Sequence, residues 1–456
     1  MSENAHALSL GTEPVGTLLL RYSLPAIAAM VVFSLYNIVD SIFIGHGVGS
    51  LALSGLAVTF PIMNLAFAFC LLVGVGGASI CSIRMGQKDM DGAVRVLGTV
   101  LVLSVINGFV FGALALVFLD SILILFGASA VTLPYARDFM QVILLGLPIT
   151  YVMFGLNHVM RATGYPQKAM LSAVVTVGVN SVLAPLFIFW LGWGIRGAAL
   201  ATVLSQFVGM LWVLSHFMRP DSFVRFQPGI YKLRKRIILS IFSIGMAPFL
   251  LYVCGCIVVA IINTDLSTYG GDMAIGAFGI LNRVLILFVM VVIGLTQGIQ
   301  PIVGYNYGAK QLDRVKLALK YGIFAGVGIT TFGLLAAELF PESIARMFTD
   351  DEALIALTVR GLRVATLAFP LVGCQIVISN FFQSIGRAKL SVFLSLTRQL
   401  LFLVPCLLIL PFFWGLDGIW ISMPLSDALA FLTSTLVLTL FLKELRKKHE
   451  SGTPLG

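Results

Sequence analysis

Gly76–Asp91 reads GGASICSIRMGQKDMD, and Gly298–Asp313 reads GIQPIVGYNYGAKQLD. Laid over each other, the stretches share Gly76 with Gly298, Ile80 with Ile302, Gly86 with Gly308, Lys88 with Lys310 and Asp91 with Asp313, each pair 222 positions apart. Without a gap, the same offset brings Gly49 onto Gly271, Ala52 onto Ala274, Ser121 onto Ser343, Phe126 onto Phe348, Pro148 onto Pro370 and Gly164 onto Gly386. The chain has 456 residues, so the duplication takes in nearly all of it. In a membrane protein, such internal repetition predicts a transporter fold with its pathway between the repeats.

Composition identifies the solvent. The chain is 59% hydrophobic and 11% charged, where a soluble domain carries about a quarter charged residues. Uncharged runs such as Gly98–Leu119, Phe139–Met160, Ile237–Asn263 and Val364–Ile385 are long enough to cross a hydrocarbon layer of about 30 Å. Only helices and closed barrels satisfy their backbone groups in lipid, and these runs are far too long for barrel strands. The expectation is an all-α integral membrane protein. Twelve transmembrane helices are centred near Val31, Ala66, Ile106, Pro148, Val179, Val208, Leu251, Val289, Gly328, Cys374, Val404 and Thr433. They fall into two pseudo-symmetric six-helix bundles: an N-terminal lobe at 1–218, a polar, basic linker at 219–236 and a C-terminal lobe at 237–456. Six is even, so both repeats start on the same side and their symmetry axis runs along the membrane normal.

Lys and Arg set the orientation. They gather after the even-numbered spans, as Arg84, Lys88 and Arg95, then Arg161 and Lys168, then Arg219 to Arg236, then Lys310 to Lys320, then Arg387 and Lys389. The opposite loops carry acids such as Asp265, Asp272, Glu342 and Asp350 to Glu352. Both termini are therefore expected in the cytoplasm, and Met1–Leu20 lacks the pattern of a signal peptide. The net charge of +9 reflects this loop bias. Its dispersal argues against nucleic acid as a partner. The six cysteines lie in or at spans, and Cys254 and Cys256 point to different helix faces, so packing rather than a metal or a disulfide is expected of them.

Ionisable groups inside spans are functional candidates by default. Asp40 follows the uncharged run Tyr22–Val39, with Tyr36 one turn earlier on the same face. A desolvated carboxyl there can load and unload a proton; the plainer alternative is a helix-end carboxylate that reaches water. Its counterpart 222 residues on is Ile262, so an ion site is expected in the first lobe alone. Arg283, Arg398 and Asp427 fall in later spans, where mutual neutralisation is favoured over a substrate role, and Gln297, Gln300 and Asn306 add uncharged polar groups along span 8. Pro25 interrupts span 1, as a hinge or as a static bend. Met63, Met153, Met160, Phe60, Phe154 and Phe381 are candidate cleft residues, since thioethers and aromatic faces suit variable organic cations, and Gln297, Gln300, Arg283, Arg398 and Asp427 are further candidates for the substrate cleft. No His-Glu-x-x-His, phosphate-binding loop or paired intramembrane aspartates is present, which argues against an enzyme and against ATP as fuel.

Gly298–Ala309, Phe382–Arg387 with Arg398-Gln399, Val39-Asp40-Ser41 and Asn180 to Pro185 together resemble the multidrug and toxic compound extrusion (MATE) transporters, in their DinF-like and MepA-like branch. The resemblance spans nearly the whole chain. It implies a multidrug efflux antiporter of the bacterial or archaeal cytoplasmic (inner) membrane, monomeric, surrounded by lipid and without cofactor. Such an antiporter expels organic, often cationic, compounds in exchange for protons or sodium. The ion site it implies uses Asp40 as the titrating acid, with Tyr36, Asn157, Asn180 and Thr202 around it. The family pattern on span 5 runs Asn-x-x-Leu-Asp-Pro, whereas this chain has Asn180-Ser181-Val182-Leu183-Ala184-Pro185. With one carboxylate in place of two, the expectation leans to protons over sodium; a change at Ala184 that weakens coupling is the other reading. A lipid or lipid-precursor flippase of the same superfamily is the alternative function, and it calls for a strongly cationic cavity.

Overall fold

The computed structural model describes residues 9–220, 222 and 224–450, and their regular structure is helical throughout. The spans are α1 (Val15–Gly47), α2 (Ser50–Gly86), α3 (Met90–Val117), α4 (Leu133–Ala162), α5 (Pro166–Trp190), α6 (Gly194–Met218), α7 (Lys235–Gly271), α8 (Met273–Gly308), α9 (Leu312–Leu339), α10 (Glu352–Thr366 with Phe369–Ser384), α11 (Ala388–Trp414) and α12 (Leu416–Leu445). Eleven are single helices long and apolar enough to cross a membrane, and α10 is a pair bent by 51°. All twelve expected centres lie on them. The bend in α10 precedes Pro370, whose ring disfavours helical geometry in the residue before it. Helix α5 ends in a π-helical turn, Leu186–Trp190, directly after Pro185, and α11 contains a π-helical stretch, Thr397–Leu403, directly before Val404-Pro405.

The duplicated stretch folds the same way twice. After α2, the amides of Gln87, Lys88 and Asp89 donate to the carbonyls of Ile83, Met85 and Arg84. After α8, the amides of Ala309, Lys310 and Gln311 donate to the carbonyls of Tyr305, Tyr307 and Asn306. Every atom pair in the second set lies 222 residues beyond its counterpart. The identities retained in the loops have a conformational reason. Lys88 and Lys310 have φ of 61° and 60°, and Gly164 and Gly386 have 105° and 77°. Glycine meets this left-handed requirement without steric penalty. Asp89 then caps α3 by accepting from the Gly92 amide at 2.9 Å. That bond, helped by Arg84 at 2.6 Å, holds its carboxyl below the usual carboxylate range.

The chain forms two compact units. Unit 1 comprises Met1–Val253, Gln297–Ala318 and Ser384–Ala388; unit 2 comprises Cys254–Thr296, Leu319–Gln383 and Lys389–Gly456. The division expected at the 219–236 linker marks the end of a repeat. Compactness divides the chain within α7, α8 and α9, at the end of α10 and at the start of α11, and the linker lies in unit 1.

In unit 1, α4 is the hub, packing on α2, α3, α5 and α6. Small residues let backbones approach where lipid supplies no hydrophobic drive. Gly108 and Gly112, one turn apart on α3, face α4 so closely that an added Cβ would stand 2.6 Å from Pro148 Cα and 2.7 Å from the Leu144 carbonyl oxygen. In unit 2, Gly326 of α9 and Gly373 of α10 meet in the same manner: a Cβ added to either would crowd the other's carbonyl oxygen. The apolar core of unit 2 includes Val258, Ile262, Phe278, Leu281 and Trp420. Phe381, a candidate cleft residue by sequence, is buried in an edge-on trio with Phe382 and Phe441. Its aromatic face is used in packing.

Gly108→Leu is expected to destabilise unit 1 by about 2 kcal/mol or more, because overpacking a tight contact forces backbone shifts. The check is the melting temperature of detergent-purified protein, which falls in the variant; an unchanged value would refute the close approach of α3 to α4.

Candidate functional site

Within unit 1, polar side chains from three helices meet beside Asp40. Asp40 lies on α1, with a relative exposure of 9%. Its Oδ1 is buried and accepts no hydrogen bond among the described residues. One turn earlier, the Tyr36 hydroxyl is 3.0 Å from Thr202 Oγ1 of α6. Asn180 of α5 donates from Nδ2 to the same Thr202 oxygen at 3.3 Å, and Thr202 Oγ1 donates to the Ala198 carbonyl at 3.1 Å. Asn180 and Thr202 are buried. Helix α5 packs on both α1 and α6, which brings three separate stretches of sequence to one place. The arrangement holds one acid, one phenol, one amide and one hydroxyl. No group of three metal-ligating side chains exists among the described residues.

One turn after Asn180 on α5 comes Ala184, at the position where the pattern this segment resembles carries an acid. Ala184 is fully buried, in a cluster with Ile44 of α1 and Ala198, Ala199 and Ala201 of α6. The side chains of Asn37 and Ser41, which flank Asp40 in sequence, lie outside the described set.

Asn157, the remaining residue expected around Asp40, is bonded into a second network. Its Nδ2 donates to the Ala169 carbonyl at 2.9 Å and to Ser172 Oγ at 2.7 Å. Its Oδ1 accepts from Arg161 Nη2 at 2.9 Å. Arg161 also donates from Nη1 to Gln297 Oε1. Gln300, one turn further along α8, donates to Ser79 Oγ at 2.6 Å. Of these two cleft candidates, Gln297 is bonded to Arg161 in this network and Gln300 is bonded to Ser79 apart from it. Arg161 corrects the sequence reading, which placed it in a basic loop. It is buried, on α4, and its hydrogen-bond partners here are neutral amides. The signal that could have found it is its spacing of four from Asn157, which puts both on one helix face.

Of the candidate cleft residues, Met153 is buried and points at Gly209 of α6, with Cε 2.9 Å from the position of an added Cβ. Its role is packing. Phe154 is the centre of an aromatic chain. Its ring lies edge-on to Phe33 at 6.2 Å and to Phe67 at 6.0 Å. Phe33 in turn neighbours Tyr36 at 6.1 Å, and Phe67 neighbours Tyr252 at 5.4 Å. Aromatic faces therefore lead away from the Asp40 cluster, and Phe33, Phe67 and Tyr252 are members that sequence reading missed.

In unit 2, Arg398 Nε donates to Asp427 Oδ1 at 2.5 Å, with Asp427 buried. This is the expected neutralising pair. Arg283, expected to join it, is exposed and stands outside it. Pro25 sits inside the continuous helix α1. Without an amide proton, it leaves the Arg21 carbonyl without its intrahelical donor.

The MatE family profile matches residues 25–186 and 243–408, once in each repeat. The multidrug export protein MepA of Staphylococcus haemolyticus (strain JCSC1435) is 28% identical over 423 residues, which is 92% of this chain and 93% of that protein. MepA of Staphylococcus aureus (strain MRSA252) is 26% identical over 94% of each. Among solved structures, a MATE crystal structure described as the bent conformation superposes with a TM-score of 0.92 at 27% identity, covering 97% of this chain and 98% of that one. An outward-facing multidrug resistance MATE family transporter of the MOP superfamily superposes with a TM-score of 0.91 at 27% identity, covering 97% and 99%. A MOP superfamily transporter from Pyrococcus furiosus, described as having a binding pocket of reverse polarity, superposes with a TM-score of 0.91 at 26% identity, covering 96% and 98%. With the profile matched across more than half its length, and matched in both repeats, this chain belongs to the MatE family of transporters.

Proposed function

We propose that this protein is a secondary active multidrug exporter of the bacterial or archaeal cytoplasmic membrane, working as a monomer with both termini in the cytoplasm. It expels organic cations and other xenobiotics in exchange for ions that enter through Asp40. The observation that carries the reading is the buried Asp40 carboxyl, one oxygen of which has no donor among the described residues, beside the Tyr36–Thr202–Asn180 cluster. A buried, unpaired ionisable group is costly in a membrane and is retained where function needs it. The relatives named for multidrug export support the choice of substrate class.

Protons are favoured as the driving ion. One carboxyl offers a complete binding site for a proton, and the buried Ala184 beside α1 and α6 supplies no further oxygen. Sodium asks for more oxygen ligands. The Tyr36–Phe33–Phe154–Phe67–Tyr252 chain supports organic cations as cargo, through ring faces that attract cations. The flippase alternative calls for a strongly cationic cavity; Arg398 is neutralised by Asp427, which leaves Arg161 and Arg283 as the span cations that reading would have to use. Pro25, on the helix that carries Asp40, is the point at which that helix is proposed to hinge, because its freed carbonyl weakens the ladder there.

Asp40→Asn is expected to insert and fold but to reduce energised efflux of ethidium from proteoliposomes at least tenfold. Efflux equal to the unaltered protein would contradict the role of Asp40. Ala184→Asp places a second carboxyl one turn after Asn180 and is expected to let an imposed sodium gradient drive efflux. Identical efflux under proton and sodium gradients before and after that change would remove Ala184 from the ion site.

A further inference from the structure

The offset of 222 residues that aligns the sequence with itself also relates contacts within unit 1. A Cβ added to Gly86 of α2 would stand 1.9 Å from the Tyr305 carbonyl oxygen of α8, and one added to Gly308 would stand 2.2 Å from the Ile83 carbonyl oxygen. Gly308 is the counterpart of Gly86, and Tyr305 that of Ile83. A Cβ added to Gly76 would stand 3.1 Å from the Gly245 amide nitrogen, and one added to Gly298 would stand 2.6 Å from the Ser23 amide nitrogen. These are counterparts again. At this end of the spans, each repeat meets the other through equivalent surfaces.

The lead-in segments to the two repeats are exchanged across that seam. The linker before α7 lies on the first repeat: Ile230 is buried with Val94 and Leu97, and its carbonyl oxygen is 2.6 Å from the Cβ position of Gly98. The lead-in to α1 lies on the second repeat, and there the grip is polar. Pro14 has no amide proton, so the Leu10 carbonyl four residues earlier lacks its helical donor. Asn306, fully buried at 0% exposure, fills that vacancy from Nδ2 at 2.9 Å, and Arg314 Nη2 adds a second bond at 3.0 Å. Arg314 Nη2 also reaches the Glu13 carbonyl at 2.6 Å, while its Nε donates to Asn306 Oδ1 at 2.9 Å. A planar fork can serve two carbonyls and an amide at once; an ammonium is a single point charge.

We propose that Arg314, with Asn306, is a positioning residue of the transport cycle: a releasable clasp that ties the lead-in of the Asp40 helix to the second repeat on the cytoplasmic side. The inference rests on the reading of the chain as an exporter that opens alternately to either side. Donors and acceptors of the clasp come from different repeats, so opening the cytoplasmic side draws them apart. Closing it re-forms bonds to backbone carbonyls that have no helical donor of their own. The clasp thereby connects the state of α1 to that of the second repeat.

The test uses the full chain in proteoliposomes, with the six native cysteines replaced. Gly11→Cys and Gln311→Cys are introduced together, because Gln311 reaches with Oε1 to 3.7 Å from the Cβ position of Gly11, and are bridged by a bis-methanethiosulfonate reagent whose spacer replaces the length of the glutamine side chain. The pair is expected to cross-link, to lower ion-driven ethidium efflux at least tenfold, and to recover on reduction. Cross-linked protein that exports at the reduced rate would overturn the proposal, as would failure of the pair to cross-link. In a second arm, Arg314→Gln is expected to raise maleimide labelling of Gly11→Cys at least fivefold and to lower coupled efflux, with Arg314→Lys intermediate. Labelling and efflux unchanged by Arg314→Gln would also overturn it. Absence of ion-driven efflux from the reduced parent would count against the transport reading, while the labelling arm still decides whether Arg314 holds the segment.

Discussion

Hydrocarbon offers no hydrogen-bond partner, and this structure follows from that constraint. Backbone groups close on themselves as helices. Side-chain hydroxyls on the spans return to carbonyls of their own helix, as Thr176, Thr330, Thr366 and Thr433 do. Longer polar side chains reach across helices to named partners, as Asn157 does to Ser172 and Gln300 to Ser79. Among the described residues a few buried side-chain atoms on the spans stay without a hydrogen-bond partner, Asp40 Oδ1 together with Asp265 Oδ2, Gln399 Oε1, Trp420 Nε1, Thr435 Oγ1 and both nitrogens of His216, and of the ionisable groups in a span the default reading is functional.

The two halves handle the same constraint differently. Tyr36 and Asp40 have Val258 and Ile262 as their counterparts, and both of these sit in the apolar core of unit 2. Thr202 has Pro424 in its place. Polar chemistry at that register is thus confined to the first repeat, and the second uses the equivalent surface to pack. The backbone itself is more conservative: Lys88 and Lys310, and Gly164 and Gly386, hold matching left-handed conformations even though most neighbouring side chains differ.

Much of this was legible in the sequence. Spans are read from hydropathy, a local property, and all twelve centres were placed. The repeat was read from register, and its retained residues prove to be those with special backbone geometry or close contacts. The Tyr36–Thr202–Asn180 cluster was named through resemblance to a family. Residues whose environment depends on distant partners were not legible. Arg161 looked like a loop cation because its acceptor, Gln297, is 136 residues away. Asn157 was placed around Asp40 by the same resemblance, and its hydrogen bonds here run to Ser172 and Arg161. Met153 and Phe154 are adjacent in sequence, yet one packs against Gly209 and the other joins a chain of rings. Rotation of a side chain about its helix is set by neighbours that hydropathy does not name.

The reciprocal contacts of Gly86 with Tyr305 and of Gly308 with Ile83 have the form of an isologous dimer interface, in which one surface meets its own copy across a twofold axis. Here both copies belong to one polypeptide. Their association is therefore independent of protein concentration. Covalent joining also frees each copy to vary alone, which two identical subunits cannot do: a carboxyl can be kept on one side of the axis and an isoleucine on the other.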